Sequence, residues 1–259
     1  MSLRLRDCLL KRGVKVKVVA VNGGSLEHNV DAIVSSPREA AERCADWKSD
    51  VIVLCTLLVM HHVQIFRRIC NDIQLVGVCH EMYSNLFSWF DKALLGHFDS
   101  LVFVSQAAKR SFQPIRGQTD NIYVAPNWLD QNTIELIEDE TRCPKEIRKI
   151  IGMESDDKLL LISSSVVEHK GVEPFILSVA APVKSEIGNL KIAIMGKVYD
   201  LGINERILSL CPDTYFAGSI PQGDLFDFLR LADVFAHCSK SESFCLAIHE
   251  AMHLSLIHI

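Results

Sequence analysis

The sequence lacks the patterns that announce several common classes of protein. No two of its nine cysteines lie within four residues of each other, which excludes a CxxC zinc or redox motif. The glycine patterns GxGxxG and GxxxxGK[ST] are also missing, which removes the usual dinucleotide and P-loop signatures. No short repeat and no low-complexity segment occurs. The chain is therefore expected to be an ordinary globular protein whose ligand is held by less obvious residues.

Charge and hydrophobicity narrow the class further. The net charge is −5, and no dense run of lysine or arginine occurs, which argues against nucleic acid as the main partner. The longest apolar run, residues 51–60, is too short to span a bilayer and is typical of a buried strand entering a helix. The cysteines are scattered and several lie in apolar runs, which favours reduced thiols in a cytoplasmic protein. Peripheral contact with a membrane surface stays open.

What the chain does have is an alternation of short β-branched runs with helical patterns. Strands are predicted at 14–21, 31–35, 50–56, 73–79, 100–105 and 121–126, and then at 158–166, 190–196, 213–218 and 233–239. This alternation predicts an α/β protein of two Rossmann-like domains, each with a mostly parallel sheet. The predicted boundaries are 1–140 for the first domain, 141–157 for a linker and 158–253 for the second domain. Ligands of such sheets bind beyond the carboxyl ends of the strands.

The stretch ESFCLAIHEAM (242–252) follows the last predicted strand and carries two glutamates eight positions apart. A helix predicted to start near Phe244 would offer its free N–H groups to a diphosphate, with Ser243 and the N–H groups of Cys245 and Leu246 beside it. Glu242 and Glu250 would accept hydrogen bonds from sugar and ribose hydroxyls. The plain alternative is an ordinary strand–loop–helix unit with a capping serine and a solvated glutamate.

A second loop offers a cation. Lys170 and Gly171 follow the strand at 158–166, and an ammonium there would reach a diphosphate. Taken alone, Lys170 is better explained as a solvated loop lysine.

These elements occur in the order seen in a known family. Lys170-Gly171, IAIMG (192–196), FAGSIP (216–221), LADVFAHCSKSES (231–243) and E-x7-E-AM (242–252) resemble the C-terminal domain of family 4 retaining glycosyltransferases of GT-B fold, the glycosyl-group-1 transferases. The first half resembles that family's N-terminal domain more weakly, through LRDCLLKRGVKVKVVAV (5–21), VGVCHEMYS (76–84), LVFVSQAAKRSF (101–112) and YVAPNWLD (123–130).

The resemblance implies transfer of a sugar from a nucleotide-diphosphate-sugar donor to an acceptor hydroxyl, with retention of the anomeric configuration. It implies His80, Lys170 and Glu242 as catalytic residues and no metal or other cofactor. The implied donor-binding residues are Ser165, Lys170, Gly196, Gly218, Ser219, Ile220, Glu242, Ser243, Phe244, Cys245, Leu246 and Glu250. For His80 alone, a hydrogen-bonded histidine at a strand end is the plain alternative. The acceptor, whether glycan, lipid or small molecule, is not indicated.

One residue departs from the family pattern. Ser165 stands five positions before Lys170, where the family usually has an arginine that contacts the diphosphate. A neutral hydroxyl makes a weaker hydrogen bond to an anion, with His169 and Lys197 as candidate replacement cations. This departure keeps two other functions open: a nucleotide-sugar-binding protein without turnover, and another GT-B enzyme such as a nucleotide-sugar epimerase or a phosphorylase.

The resemblance also predicts that both ends are truncated. The first domain would lack its first strand, the second domain would be incomplete, and the fragment by itself would be poorly soluble and inactive. The tail LSLIHI (254–259) resembles a translated sequencing adaptor and is predicted to be non-native, a native terminal strand being the alternative.

Overall fold

The chain folds into two compact units, Met1–Asn127 and Trp128–Ile259. The computed structural model describes residues 2–21, 30–83, 88–113, 121–129, 133–135 and 144–256. Each of the ten predicted strand runs contains a strand, and all the strand pairings are parallel. The α/β class and the parallel sheets are confirmed.

The first unit carries two parallel sheets in the described residues. Its elements are α1 (Ser2–Lys11), β1 (Val19–Val21), β2 (Ala32–Val34), α2 (Pro37–Asp46), β3 (Val51–Cys55), α3 (Leu57–Met60), α4 (Val63–Ile69), β4 (Gln74–Cys79), a 3-10 helix (Lys92–His97), β5 (Ser100–Phe103), α5 (Gln106–Ser111) and β6 (Ile122–Val124). One sheet is the pair β1-β2, and the other has the order β3-β4-β5-β6. The apolar run at 51–60 is a strand followed by a short helix, as predicted.

The second unit is built on one four-stranded sheet of order β10-β7-β8-β9. Its elements are α6 (Pro144–Ile150), β7 (Lys158–Ser163), a 3-10 turn (Glu168–Lys170), α7 (Val172–Phe175), a π-helical turn (Ile176–Ala180), α8 (Ala181–Ile187), β8 (Leu190–Met195), α9 (Leu201–Leu210), β9 (Tyr215–Gly218), α10 (Gln222–Leu231), β10 (Val234–Ala236) and α11 (Leu246–His253).

Both faces of this second sheet are buried, which explains why its strands read as nearly continuous apolar runs. Along β7, Leu159 and Leu161 enter one core cluster, whereas Leu160 and Ile162 enter the other. This is the two-residue alternation of a pleated strand. Helices α6, α10 and α11 contribute side chains to the first cluster, while α7, the π-helical turn and α9 contribute to the second. The tightly packed centre fixes where the strands end.

The region predicted as a linker, residues 141–157, is partly folded into the second unit. Part of the region predicted as a linker forms α6, and Ile147, Ile151 and Met153 from that region pack in the core of the second unit. The contacts divide the chain between Asn127 and Trp128.

Within the described residues, no helix is long and apolar enough to cross a membrane. The eight cysteines that the structure describes are free thiols.

Gly171 allows the chain to turn sharply after the 3-10 turn and begin α7. Its φ is +66°, and a Cβ placed on it would lie 2.2 Å from the carbonyl oxygen of Cys238. Only glycine tolerates both the left-handed backbone and that contact between two main chains. Gly171 therefore holds the loop that carries Lys170 directly against the loop that follows β10.

Replacing Gly171 by alanine should destabilise the protein severely, by about 3 kcal/mol or more, because backbone strain and a clash with a carbonyl add together. Gly152 is the matched control, since its φ is +63° and its added Cβ would meet no atom within 4 Å. Gly152→Ala should cost only the strain, about 1–2 kcal/mol. Denaturant unfolding monitored by circular dichroism measures both values, and equal losses would contradict the role given to the Cys238 contact.

Candidate functional site

The candidate site lies at the carboxyl edge of the second sheet. Ser163, Ser164 and Ser165 stand at the end of β7, and His237 follows β10 immediately. Because β7 and β10 are parallel neighbours, with Leu160 paired to Val234, their carboxyl ends lie side by side. Polar residues that are about seventy positions apart in sequence therefore meet at one edge, which is where ligands of open α/β sheets bind.

An ion pair between Lys170 and Glu242 joins the two loops at this edge. Lys170 Nζ donates to Glu242 Oε1 at 2.6 Å, with side chains that are 26% and 25% exposed. A main-chain hydrogen bond from Lys240 N to His169 O, 3.0 Å long, ties the same loops together. The two residues predicted to be catalytic in this unit are therefore in contact, on a surface that a ligand can reach.

His237 adds a third charged group to the ion pair. Its Nε2 lies 3.4 Å from Glu242 Oε1 and 3.4 Å from Cys245 Sγ, and its side chain is 14% exposed. The contacts with Cys245 and Glu242 raise the pKa of His237 to about 9. Burial by itself would raise the pKa of Glu242, but the hydrogen bonds from His237 and Lys170 outweigh it and lower that pKa to about 2. At neutral pH, two cations therefore flank one carboxylate.

The start of α11 differs from the prediction. The helix begins at Leu246 rather than near Phe244, because Cys245 is in the left-handed conformation, with φ +58° and ψ +77°. Phe244 precedes the helix and stacks on His249, with ring centroids 4.4 Å apart. Ser243 also lies in the preceding loop. The predicted N–H donor of Phe244 is therefore not part of the helix start, whereas those of Leu246 and the next residue, Ala247, are.

The second glutamate of the E-x7-E pattern is on the inner side of α11. Glu250 is 7% exposed, and its Oε1 accepts a hydrogen bond of 3.0 Å from Gln222 Nε2 on α10. Buried carboxylates need such partners because their desolvation is costly. The predicted role with a ribose diol is not tested by this arrangement.

The glycines predicted to border the donor lie at the same edge. Gly196 follows β8, Gly218 ends β9, and the two form an isolated antiparallel bridge. A Cβ on Gly196 would lie 2.2 Å from the carbonyl oxygen of Ser164, so only glycine fits there. Beyond them, Ser219 is exposed and Ile220 packs against the core.

A concavity of about 210 Å³ collects most of these groups. Its lining residues are Ser163, Ser164, Ser165, Lys170, His237, Glu242, Cys245, Leu246 and Ala247. It combines small hydroxyl side chains, two cations, one carboxylate and a helix start. Such a surface is suited to an anion that also carries hydroxyl groups, because the cations and the helix N–H groups bind the charge.

His169 and Lys197 were the cations predicted to replace the missing arginine, and His169 is poorly suited to that role. Burial, with the Lys170 charge beside it, lowers the pKa of His169, so that ring is a poor cation at neutral pH. The ammonium of Lys197 lies over the Tyr199 ring, 4.9 Å from its centroid. Ser165 does line the concavity, and the second cation there is His237.

His237 is the residue that the sequence analysis missed. It lies within the stretch LADVFAHCSKSES (231–243), in which Glu242 and Ser243 were the predicted site residues. The available signal was its position, because a histidine directly after a buried parallel strand lies at the ligand-binding edge. Its contact with Glu242 required the loop conformation to be known.

His80 belongs to the first unit. It follows β4, so it lies at the carboxyl edge of that unit's sheet, and burial lowers its pKa. The neighbouring Glu81 accepts a hydrogen bond from Leu57 N at 3.3 Å. The predicted role of His80 stays a prediction.

A larger concavity, about 540 Å³, opens at the opposite, amino edge of the first unit's sheet. It is less suited to anion binding. Its Arg67 guanidinium is bonded to Asp99 Oδ2 at 2.9 Å and to the carbonyl oxygen of His97 at 2.6 Å. The smaller concavity is the better candidate site because it lies at the carboxyl edge of its sheet, where ligands of parallel α/β sheets bind.

Part of the second unit matches a known sequence family. Residues 144–259 match the sequence profile of the family described as Glycosyl transferases group 1. Those residues belong to that family. No match was found among curated protein sequences.

Solved structures show the same fold as this chain. Anabaena Alr3699/HepE in complex with UDP-glucose superposes with a TM-score of 0.71 at 18% identity, covering 97% of this chain and 68% of that one. The α,α-trehalose-phosphate synthase (UDP-forming) from Burkholderia vietnamiensis gives 0.67 at 12% identity, covering 84% and 57%. The E. coli trehalose-6-phosphate structure bound with UDP-2-fluoro glucose gives 0.69 at 12%, covering 84% and 59%. The predicted GT-B fold is confirmed.

The raised pKa of His237 makes the stability of this group 1 domain depend on pH. The contacts that raise the pKa of His237 stabilise the folded state fully when the pH is below 6.5, the value in the unfolded chain. This stabilisation is lost as the pH rises through about 9, where the folded protein loses the proton. We expect the free energy of unfolding to fall by up to about 3 kcal/mol over that window. Urea unfolding at a series of pH values measures it.

The variant His237→Gln removes the titrating ring and is the control for this effect. It should be less stable at neutral pH but should show a much smaller fall over the same window. A fall that is as large in the variant as in the parent protein would assign the pH dependence to another group.

Proposed function

We propose that the protein is a glycosyltransferase that moves a sugar from a nucleotide-diphosphate-sugar donor to an acceptor hydroxyl, with retention of anomeric configuration. The observation that carries this proposal is the Lys170–Glu242–His237 contact at the carboxyl edge of a group 1 glycosyl transferase domain. The similar Anabaena protein was solved with UDP-glucose, and the E. coli one with UDP-2-fluoro glucose, which supports a nucleotide sugar as donor.

The main catalytic need in such a reaction is to stabilise negative charge on the leaving diphosphate as the glycosidic bond breaks. In our proposal, Lys170 and His237 supply the positive charge, and the N–H groups of Leu246 and Ala247 add hydrogen bonds. Lys170 exchanges its bond to Glu242 for the diphosphate. Glu242 is then available to the hydroxyls of the donor sugar.

The remaining roles complete the donor site. Glu250 is proposed to serve the ribose, and the segment from Gly218 to Ile220 to border the base. His80 is proposed to serve the reacting sugar from the first unit. We propose that no metal is needed for transfer, because two side-chain cations are already placed to neutralise the diphosphate. The free thiols among the described residues suit a cytoplasmic protein, with peripheral membrane contact compatible.

One observation favours a second candidate, a protein that binds nucleotide sugars without turnover. Ser165 lines the concavity at the position where the resemblance calls for an arginine. Binding requires less charge stabilisation than bond cleavage does, because charge builds up on the diphosphate only as the bond breaks. A site with one fewer guanidinium can therefore hold the donor while transferring slowly or not at all.

Removing either member of the ion pair should weaken the reaction more than it weakens donor binding. Lys170→Ala should reduce kcat by about 100- to 1,000-fold, as for the loss of one charge-stabilising donor. Glu242→Gln should reduce the transfer rate sharply as well, because the negative charge of Glu242 holds Lys170 and His237 in position. Initial rates of nucleotide release, with a panel of nucleotide sugars and acceptors, measure this.

Lys240→Ala is the matched control, because the Lys240 ammonium is exposed, lies 3.8 Å from Glu168 Oε1 and is not among the groups that line the concavity. It should leave the rates unchanged. Rates that are insensitive to both Lys170→Ala and Glu242→Gln would exclude this site as the donor site. Nuclear magnetic resonance of the product separates the enzymatic alternatives: a new glycoside of retained configuration supports the proposal, whereas an epimerised sugar or free sugar phosphate supports an epimerase or a phosphorylase.

Restoring the arginine tests the binding-only alternative. Ser165→Arg should raise affinity for a nucleoside diphosphate by about tenfold to a hundredfold, the worth of one charged hydrogen bond. Ser209→Arg adds the same charge on the exposed side of α9 and should have no such effect. Calorimetric titration with UDP measures both. Turnover that appears only with Ser165→Arg would favour the binding-only function for the natural sequence.

A further inference from the structure

Three potential metal ligands converge inside the concavity. A ring nitrogen of His237, a carboxylate oxygen of Glu242 and the Cys245 sulfur all lie within 4.8 Å of one another. This cluster is more than a feature of the ion pair, because Cys245 and His237 are in direct contact and neither is needed for the Lys170–Glu242 bond. The question is whether the spacing suits an ion.

Two of the three separations match those of a tetrahedral zinc site, and the third pair of ligand atoms lies within 4.8 Å. Zinc lies about 2.0–2.2 Å from nitrogen and oxygen ligands and about 2.3 Å from sulfur, so neighbouring ligands in a tetrahedron are about 3.3–3.6 Å apart. In the structure, His237 Nε2 is 3.4 Å from Glu242 Oε1 and 3.4 Å from Cys245 Sγ. The sulfur is also 3.6 Å from Nδ1, so the ring must rotate to direct one nitrogen lone pair at an ion that the sulfur also binds.

The ligand set selects the kind of ion. Thiolate and imidazole are ligands of Zn²⁺ and related transition metals, whereas Mg²⁺ and Ca²⁺ prefer oxygen ligands. All three side chains line the open concavity, so an ion can enter from solvent and keep its fourth position toward the pocket. Three protein ligands and one open position is the arrangement of accessible rather than structural zinc sites.

We propose that His237, Glu242 and Cys245 form a binding site for a single Zn²⁺ ion. Cys245 binds as a thiolate and His237 as neutral imidazole, so both release their protons on binding. Zinc then competes with the Lys170 ammonium for the Glu242 carboxylate. If the proposed function holds, on which this consequence rests, bound zinc removes Glu242 from the donor sugar and inhibits transfer.

Zinc binding is tested first, without any nucleotide. Calorimetric titration with ZnCl₂ should give about one equivalent of tight binding. Binding of Co²⁺ should produce a thiolate-to-cobalt charge-transfer band, which reports sulfur ligation in the unsubstituted protein. Loss of a group that only supports a ligand costs about 10- to 100-fold in metal affinity. Cys245→Ser and His237→Gln should therefore each weaken zinc binding by at least about tenfold.

Controls are needed because the chain has nine cysteines and ten histidines. Cys8→Ser and His61→Gln remove a thiol and an exposed imidazole outside the cluster and should leave zinc affinity unchanged. Thermal unfolding of each variant shows that it is folded. The site is overturned if the cobalt band is missing, or if folded Cys245→Ser and His237→Gln bind zinc as tightly as the parent.

The effect on the donor is then measured separately. Affinity for UDP-glucose and the transfer rate should fall as zinc saturates the site, and EDTA should restore both. In Cys245→Ser, the same zinc concentration should have little effect. Zinc that binds at this cluster without lowering UDP-glucose affinity or the transfer rate overturns the inhibition and leaves the metal site standing. Failure to bind UDP at all, with zinc bound as predicted, counts against the proposed function alone.

Discussion

The parallel pairing of β10 with β7 is the constraint on which the candidate site depends. β7 leads into the loop that carries Lys170, and β10 leads into the loop that carries His237, Glu242 and Cys245. Their register, Leu160 to Val234 through Ile162 to Ala236, places the two strand ends level with each other. A shift of one residue would turn every side chain of β10 to the opposite face and separate the loops.

The contact between Gly171 and the carbonyl of Cys238 holds the loop after β7 close to the loop after β10. Because Gly171 has no side chain, its main chain approaches the carbonyl of Cys238 more closely than any other residue would permit. The same principle acts at Gly196, which approaches the carbonyl of Ser164. Glycines at these two positions therefore bring Lys170, the serines and His237 to one small concavity, and the charged groups then organise one another.

Sequence reasoning succeeded where a pattern has one structural solution. Short apolar runs such as KLLLIS that alternate with helical patterns favour buried strands in parallel pairing, so the sheets were predictable. Lys170 and Glu242 were found because each follows such a strand. It was less successful where conformation depends on contacts: the left-handed backbone at Cys245 delayed the start of α11, and a non-glycine residue gives no local warning of that conformation. His237 escaped notice because a charged histidine is recognised only by its neighbours.

The balance of charge in the concavity has a consequence for how the site works. With Lys170 and His237 both on Glu242, the carboxylate is fully engaged and its charge is compensated. An incoming diphosphate offers more negative charge than one carboxylate, so both cations gain by moving toward it, and Glu242 is released for hydrogen bonds to hydroxyl groups. In the zinc proposal, a competing cation takes Glu242 and His237 out of the same three-way contact. In these two proposals, donor binding and zinc binding are two ways of breaking one ion pair, and the Cys245 thiolate is the further ligand that zinc uses.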